Sequence, residues 1–208
     1  MIPVPLPTLV LWCLGAFLCG SIPFGLLLVK LAGKGDVRAH GSGNIGATNV
    51  SRVGGKALGV VTLLLDILKG FLPVFIGKQL GMGDSALSLL ALSAVLGHVF
   101  TPWLKFQGGK GVATALGVAL AFRAAMVLPA LGTFIVVLLA FRYVSLGSVM
   151  AALSLLIVLL LKGAPPVVLL LWAVLVSLVI AKHHENLRRL LKGTESPLWG
   201  GGKEDAHG

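Results

Sequence analysis

Long apolar stretches separated by short polar segments run along most of the 208-residue chain. A helix needs about 20 residues to cross the roughly 30 Å of hydrocarbon in a bilayer, where every backbone group must be satisfied within the protein. The pattern therefore predicts an all-α integral membrane protein, a bundle of about seven transmembrane helices. The fourth and fifth segments are short and only Arg123 separates them, so five or six spans remain alternatives. The seven segments are 6–31, 56–80, 84–104, 109–123, 124–141, 144–162 and 164–181.

The overall composition agrees with a membrane protein. Hydrophobic residues make up 57% of the chain and charged residues 12%, and the mean hydropathy is +1.00. A soluble domain ordinarily carries about a quarter charged residues, so the composition excludes that class. We interpret residues 1–196 as a single transmembrane domain and residues 197–208 as a flexible tail.

The 17 Lys and Arg residues are unevenly distributed and give the chain a net charge of +10. If the N-terminus lies outside the cell, most of them fall on one side of the membrane, and positive charge marks the cytoplasmic side. We therefore predict an external N-terminus and a cytoplasmic C-terminus. In so apolar a protein the basic excess indicates topology and anionic headgroups, so we expect no nucleic-acid partner. The predicted cytoplasmic loops are 32–55, 105–111, 142–148 and 182–196.

The first of these loops contains GSGNIG at residues 41–46, which fits the G-x-G-x-x-G fingerprint of dinucleotide-binding proteins. That fingerprint requires a buried strand before its first glycine, whereas residues 33–40 are the polar GKGDVRAH. Glycines instead let backbone N–H groups approach an anion, and arginine binds phosphate bidentately. We predict an anion site here, with a flexible linker carrying helix caps as the alternative. The candidate residues are Ser42, Asn44, Thr48, Asn49 and Arg52.

The second loop, in GHVFTPWLKFQGGKGVAT, places Gly108, Gly109 and Gly111 around Lys110 just before a predicted helix. A glycine-rich helix N-terminus binds phosphate through its free N–H groups. The stretch is no P-loop, because Leu104 occupies the position of that motif's first glycine. His98, on the preceding apolar helix, is interpreted as a structural hydrogen-bond donor, with a catalytic role as the alternative.

The C-terminal stretch AKHHENLRRLLKGTE carries His183 and Asn186 three residues apart, on one face of a helix. We predict that both belong to a site; a basic helix that holds lipid headgroups is the alternative. RYVSLGS adds Ser145 and Ser148, for which helix capping is an equal alternative. The seven carboxylates form no catalytic pair, and Asp66 with Lys69 predicts an ion pair inside the second span.

These loops together predict a cationic, amide-rich and glycine-rich basin at the membrane–cytoplasm boundary, suited to phosphorylated ligands without a metal or other cofactor. Three stretches, GSGNIGATNVSR, GHVFTPWLKFQGGKGVAT and KHHENLRRLLKGTE, resemble the cytoplasmic motifs of the bacterial acyl-phosphate:glycerol-3-phosphate acyltransferases, the PlsY family. GSIPFG at residues 20–25 resembles that family's first span. The chain departs slightly from the family pattern at Ile45, where proline is common, and at His184, where arginine is common.

The resemblance implies an enzyme that transfers a fatty acyl group from acyl phosphate to the sn-1 hydroxyl of glycerol 3-phosphate. The products would be lysophosphatidic acid and phosphate, in the first step of phospholipid synthesis. It further implies a multi-pass protein of the bacterial inner membrane with a cytoplasmic active site, and we expect a monomer in membrane lipid. The H-x-x-x-x-D signature of other acyltransferases is absent. The residues five positions after His40, His98, His183 and His184 are Ile45, Trp103, Arg188 and Arg189, and none of them is aspartate.

Carried over by position, the resemblance assigns Ser42, Asn44 and Arg52 to phosphate binding, and Thr48 and Asn49 lie in the same loop. Lys110 with the backbone of Gly108, Gly109 and Gly111 forms a second anion cradle. His183, Asn186 and Ser148 help to hold glycerol 3-phosphate. His183, Lys110 and Arg52 are the candidate catalytic residues. Either His183 or a substrate phosphate takes the hydroxyl proton, and we favour the phosphate. A small-anion transporter and a noncatalytic partner of other lipid enzymes are the rival classes.

Overall fold

The computed structural model describes residues 4–199, and within them the chain forms ten α-helices and no β-strand. Single 3-10 turns lie at Val37–Ala39, Pro102–Leu104 and Ala124–Met126. The all-α prediction is therefore confirmed. The helices are α1 Leu6–Ser21, α2 Phe24–Leu31, α3 Ala47–Gly54, α4 Lys56–Gln79, α5 Asp84–Val99, α6 Val112–Arg123, α7 Val127–Phe141, α8 Val144–Leu161, α9 Pro166–Lys182 and α10 His184–Leu191.

Each predicted apolar segment corresponds to one helix, except the first, which contains both α1 and α2, and the helices differ in length. Four stretches are long and apolar enough to cross a bilayer: Leu6–Leu31, Lys56–Gln79, Asp84–Leu104 and Val144–Leu161. A fifth span is possible if α9 and α10, which meet at 56°, are taken together, whereas α6 and α7 are apolar but shorter. The count of seven spans and the external N-terminus remain predictions.

Proline breaks the first apolar stretch into α1 and α2. Ile22 has an extended conformation, φ −60° and ψ 117°, because the ring of Pro23 disfavours a helical conformation in the preceding residue. The predicted loops contain helical turns as well: α3 occupies part of 32–55 and α8 begins within 142–148. Of the predicted tail, residues 197–199 have no helix, and residues 200–208 lie outside the described part of the chain.

Glycines bring two pairs of helices into backbone contact. A Cβ at Gly20 of α1 would collide with a backbone carbonyl of α5, and a Cβ at Gly97 of α5 would collide with one of α1. Gly70 of α4 and Gly117 of α6 have the same relation. Close packing at small residues is the usual contact between helices in lipid, where apolar burial gives little driving force. Large aliphatic side chains on the outer faces stay exposed, among them Leu64, Val136, Leu139 and Leu161.

An ion pair is buried between α1, α4 and α5. Lys69 Nζ lies 2.7 Å from Asp66 Oδ1, and both residues are 2% exposed. Lys69 Nζ also donates to the Ile22 carbonyl (2.8 Å), at the break between α1 and α2. The predicted internal ion pair is therefore confirmed. His98 Nδ1 is 3.8 Å from Asp66 Oδ1 and has no hydrogen-bond partner within residues 4–199, so the predicted donor role is not seen.

Candidate active site

The first polar loop is folded around Asn49, which α3 carries and which is 2% exposed. Its Nδ2 donates to the carbonyls of Val37 (3.0 Å), His40 (3.1 Å) and Asn44 (2.9 Å). Its Oδ1 accepts a hydrogen bond from the Ser42 N–H (2.9 Å). Because both ends of the Asn49 amide are engaged inside the loop, this side chain holds the loop in shape.

Two local features complete the loop. Gly41 has φ +60° and its missing Cβ would collide with Asn49 Oδ1, so a side chain cannot be accommodated there. Asn44 Oδ1 accepts from the Gly46 N–H (2.8 Å), directly before α3 begins. Ser42 is exposed, Thr48 is half-buried, and the exposed Arg52 donates to the Ser196 carbonyl (3.3 Å). The loop therefore presents hydroxyl and guanidinium groups on a rigid backbone.

The second loop folds back onto the end of α5. The Gly108 N–H donates to the Val99 carbonyl and the Gly109 N–H to the His98 carbonyl, each over 3.1 Å. A Cβ at Gly108 would overlap the His98 carbonyl, and one at Gly109 would overlap the His98 ring. Gly111, with φ +83°, then starts α6. These glycines are required by close contact, and they place Lys110 at the N-terminus of a helix.

Lys110 is held by a residue 76 positions further along the chain. Its Nζ donates to Asn186 Oδ1, while Asn186 Nδ2 donates to Glu195 Oε1 (2.6 Å). Burial lowers the pKa of Lys110 below its ordinary value, although the Glu195 carboxylate opposes this effect and the nearby Arg189 reinforces it. The second loop and the C-terminal stretch, predicted to share one site, are thus in direct contact.

Glu195 joins α8 to α10 through three side chains, and sequence reasoning missed it. Oε1 accepts from Ser145 Oγ (2.7 Å) as well as from Asn186, and Oε2 accepts from Arg189 Nε (2.7 Å). Burial raises the pKa of this carboxyl, but the hydrogen bonds from Asn186, Ser145 and Arg189 outweigh burial and lower it overall. We call Glu195, Ser145, Asn186, Arg189 and Lys110 the glutamate cluster.

His183 lies at the bend between α9 and α10 and is 3% exposed. Its Nδ1 is 2.8 Å from the Val179 carbonyl, which fixes the tautomer with the proton on Nδ1 and leaves Nε2 as an acceptor. Burial lowers the pKa of His183 to about 4, although the hydrogen bond to Val179 opposes this shift. Ser148, also buried, donates to the Val144 carbonyl one turn earlier in α8 (2.8 Å).

A cavity of about 630 Å³ opens between the first loop, the second loop and α10. Ser42 and Asn44 of the first loop and Gly108 of the second line it, so the cavity adjoins both predicted anion sites. Its described lining residues do not include the other predicted site residues, Thr48, Asn49, Arg52, Gly109, Lys110, Gly111, Ser148, His183 and Asn186. Asp36 and Arg38, which sequence reasoning did not select, stand at its rim with their charged groups 2.6 Å apart. The hydrogen bond from Arg38 lowers the pKa of the Asp36 carboxyl. The lining carries two carboxylates, of Asp36 and Glu185, and one cation, Arg38, so the positive charge for an anionic ligand must come from outside the lining, as from Lys110 and Arg52.

Comparison with known proteins decides the family. A family model described as glycerol-3-phosphate acyltransferase matches residues 10–193. The chain is 49% identical to the glycerol-3-phosphate acyltransferase of Trichlorobacter lovleyi, over 89% of this chain and 95% of that protein. It is 48% identical to that of Geobacter sulfurreducens, over 87% and 93%. The chain belongs to the glycerol-3-phosphate acyltransferase family.

Solved structures of a family member have the same fold. A crystal structure of PlsY, an integral membrane glycerol 3-phosphate acyltransferase, in its glycerol 3-phosphate form has a TM-score of 0.88 to this chain, with 42% identity. The match covers 92% of this chain and 96% of that one. The lysophosphatidic acid form of PlsY gives a TM-score of 0.84. The predictions of the PlsY family, of an acyltransferase enzyme and of an integral membrane protein are confirmed.

One signal could have pointed to Glu195 from the family motif itself. The stretch KHHENLRRLLKGTE is basic, and its two acidic residues are Glu185 and Glu195. In the structure of this chain, Glu185 lines the polar cavity and is exposed. The Glu195 side chain is 8% exposed, and both of its carboxylate oxygens accept hydrogen bonds. A carboxylate that ends a basic motif is therefore worth testing as the partner of that motif's own donors.

Proposed function

We propose that this acyltransferase moves a fatty acyl group from acyl phosphate to the sn-1 hydroxyl of glycerol 3-phosphate, giving lysophosphatidic acid and phosphate. One observation carries the proposal: two glycine-rich loops and α10 line a single polar cavity, and the half-buried Lys110, two residues after the lining residue Gly108, is held at a helix N-terminus. Such a site suits two phosphate groups held close together, which this reaction requires and a single-anion carrier does not.

The proposed reaction needs no covalent intermediate with the enzyme. Acyl phosphate is an activated mixed anhydride, so the glycerol oxygen attacks its carbonyl carbon directly and the bond from that carbon to the phosphate oxygen breaks. Phosphate leaves with the electron pair, and the hydroxyl proton passes to a base. The protein contributes alignment of the two substrates and positive charge where negative charge develops.

We assign the phosphate contacts to residues with unused donors. Lys110, Arg52 and the Gly111 N–H would hold phosphate oxygens, with Ser42, Asn44 and Thr48 contributing from the first loop. Gly108 and Gly109, whose N–H groups already donate to carbonyls of α5, are assigned to shaping that cradle. Asn49 and Asn186 were predicted to contact substrate, but both ends of each amide are bonded within the protein. Asn49 is therefore assigned to holding the first loop and Asn186 to orienting Lys110. Ser148 and His183 would hold glycerol 3-phosphate.

A substrate phosphate is the proposed base. His183, with a pKa of about 4, is neutral near pH 7 and binds a proton only weakly. Its Nε2 can accept a hydrogen bond from the glycerol hydroxyl and so orient it, which makes His183 an orienting contact. A His183→Gln enzyme that binds substrate normally yet loses nearly all turnover would contradict substrate assistance. Retention of a tenth or more of the turnover supports it, since loss of a general base typically costs about 10²–10⁴-fold.

The predicted setting belongs to the same proposal. We propose a monomer in the bacterial inner membrane, with residues 1–196 as one domain, the N-terminus outside and the cavity facing the cytoplasm. The excess of Lys and Arg in the loops around the cavity supports this orientation. Water-soluble glycerol 3-phosphate would enter from the cytosol, while the acyl chain of the donor would lie among the helices.

Phosphate release by the purified protein in lipid tests the proposal. Glycerol 3-phosphate is supplied with palmitoyl phosphate in one sample and with palmitoyl-CoA in another, without added metal. Turnover with palmitoyl phosphate alone is the expected result. Turnover with the CoA ester would overturn the donor assignment, and uptake into liposomes without product formation would favour the transporter class.

A further inference from the structure

A second cavity, of about 430 Å³, lies at the opposite end of the bundle from the polar loops. We call it the far-end cavity. Its rim carries three cations from the ends of α4, α6 and α8, and its wall is apolar. The residues that define it here are Lys78, Arg123 and Lys162 on the rim and Leu159, Val168 and Trp172 on the wall.

Of the three cations on this rim, Lys78 is the one that forms side-chain hydrogen bonds within residues 4–199. Lys78 Nζ donates to the carbonyls of Ala121 (3.1 Å) and Phe122 (2.8 Å), where it caps the end of α6. The exposed side chains of Arg123 and Lys162 have no hydrogen bond or ion pair within residues 4–199. Asp84 is the one acidic residue that lines the cavity, so the rim keeps a positive charge.

The position of Arg123 makes an anionic partner favourable. Lys78, in the last turn of the 24-residue α4, donates to the carbonyls at the end of α6, so the turn after α6 lies level with the far end of a helix about 36 Å long. At that level a guanidinium lies at the membrane surface, where the phosphate groups of anionic lipids are within its reach.

The packing of the helices provides space for an acyl chain beside that charge. α6 packs mainly on α4, whereas α8 packs on α7 and α9, and the far-end cavity opens between these two groups. Trp172, Leu159 and Val168 are each less than a tenth exposed and form the wall that such a chain would contact. A polar rim over an apolar wall fits an amphiphile and not a free anion.

We propose that the far-end cavity binds an anionic phospholipid of the membrane. Arg123 and Lys162 contact its phosphate, and one acyl chain lies along the wall formed by Leu159 and Trp172. This site is distinct from the polar cavity between the loops, because it lies at the other end of the same helices.

Lipid binding to the full chain, purified in detergent and freed of lipid, tests the proposal. Native mass spectrometry would compare phosphatidylglycerol with phosphatidylcholine of the same chains, for wild type and for the double variant Arg123→Gln/Lys162→Gln. We expect the double variant to lose about thirtyfold in affinity for phosphatidylglycerol, at roughly fivefold per cation, and little for phosphatidylcholine. The matched control, Lys56→Gln/Lys192→Gln, removes two exposed cations at the opposite end and should bind as wild type does.

A second variant tests the apolar wall with all charges intact. Leu159→Trp fills the far-end cavity and should reduce phosphatidylglycerol binding as strongly as the charge variant does. Glycerol 3-phosphate and inorganic phosphate should not displace the lipid, which separates this site from the polar cavity. Equal lipid binding by wild type and the charge variant, or displacement by phosphate alone, would overturn the proposal. Circular dichroism confirms that each variant is folded, without reference to enzyme activity.

Discussion

Two polar clusters in this protein, one fully buried and one half-buried, use their charges differently. The intramembrane cluster consists of Asp66, Lys69 and His98. Its lysine ammonium contacts the Asp66 carboxylate and donates to the Ile22 carbonyl, both within the protein. In the glutamate cluster, one carboxylate accepts hydrogen bonds from three side chains and Lys110 is added through Asn186. The polar cavity is lined by near neighbours of the second cluster along the chain, Gly108 and Glu185, and none of its described lining residues belongs to either cluster.

The difference separates charges that hold the fold from charges that can meet a ligand. A buried ion pair in lipid stabilises only while both partners are present, because either one alone is an uncompensated charge. In the glutamate cluster Glu195 holds the donors in place, so that Lys110 is oriented and its ammonium still has N–H groups to offer. Burial of polar groups by itself therefore does not identify a ligand site; an ammonium that keeps unused N–H groups, as that of Lys110 does, is the better indication.

The largest effect is expected from breaking the intramembrane cluster. Lys69→Met leaves Asp66 buried without its cation and should lower the free energy of unfolding by about 3–5 kcal/mol. Denaturant unfolding in detergent measures this change. The double variant Lys69→Met/Asp66→Leu removes both charges and should recover most of the loss. Wild-type stability in the single variant would show that the ion pair does not stabilise the fold.

Removing the lysine of the glutamate cluster should act on turnover and not on folding. Lys110→Met removes a positive charge from the proposed phosphate cradle, and we expect kcat/KM to fall by about 10²–10³-fold. Steady-state phosphate release measures the effect. Lys105→Met, at an exposed position in the same loop, is the control and should retain activity. Equal losses in both variants would mean that general loop charge matters and not the position of Lys110.

A pH series distinguishes the environment of His183 from that of its neighbour. The pKa of His183 is about 4 in the folded protein, whereas the ordinary value is 6.5. Between about pH 4 and pH 6.5 the unfolded chain therefore binds more protons at this residue than the folded protein does. Stability should fall as the pH drops from about 6.5 to about 4, by up to about 3 kcal/mol. Thermal unfolding of His183→Gln should show a clearly smaller slope, the remainder coming from the second buried histidine, His98, whereas His184→Gln, at an exposed position, should keep the full slope. An unchanged slope in His183→Gln would assign the effect to another group.

Gly109 links the two clusters, because it directly precedes Lys110 and packs against His98. A Cβ at Gly109 would overlap the His98 ring. Gly109→Ala should displace that ring or the loop, at a cost of about 1–3 kcal/mol in stability, and should reduce turnover with it. Gly132→Ala is the control, because a Cβ at Gly132 has no neighbour within 4 Å. Its free energy of unfolding should differ from that of wild type by no more than about 1 kcal/mol. A Gly109→Ala enzyme with wild-type stability and turnover would show that the loop tolerates the contact.

Part of this site could be predicted from the sequence, and part could not. The spacing of Asp66 and Lys69 predicted their ion pair, because residues three apart on a helix are neighbours. Glu195 gave no comparable signal, since its partners Ser145 and Arg189 lie on α8 and α10 and meet only in the folded bundle. Asn49 shows the opposite case: its residue type suggested a ligand contact, but the fold uses its amide to hold the loop.

The sequence by itself determined the membrane class, the positions of the helices and the chemical character of the loops. Apolar segment length, proline and glycine act over a few residues, so these features can be recognised along the chain. The tertiary structure decided which polar groups neutralise one another and which face a cavity, as with Lys69 and Lys110. The reason is physical: the effect of a charge depends on distances in space and on burial, and neither follows from its position in the sequence.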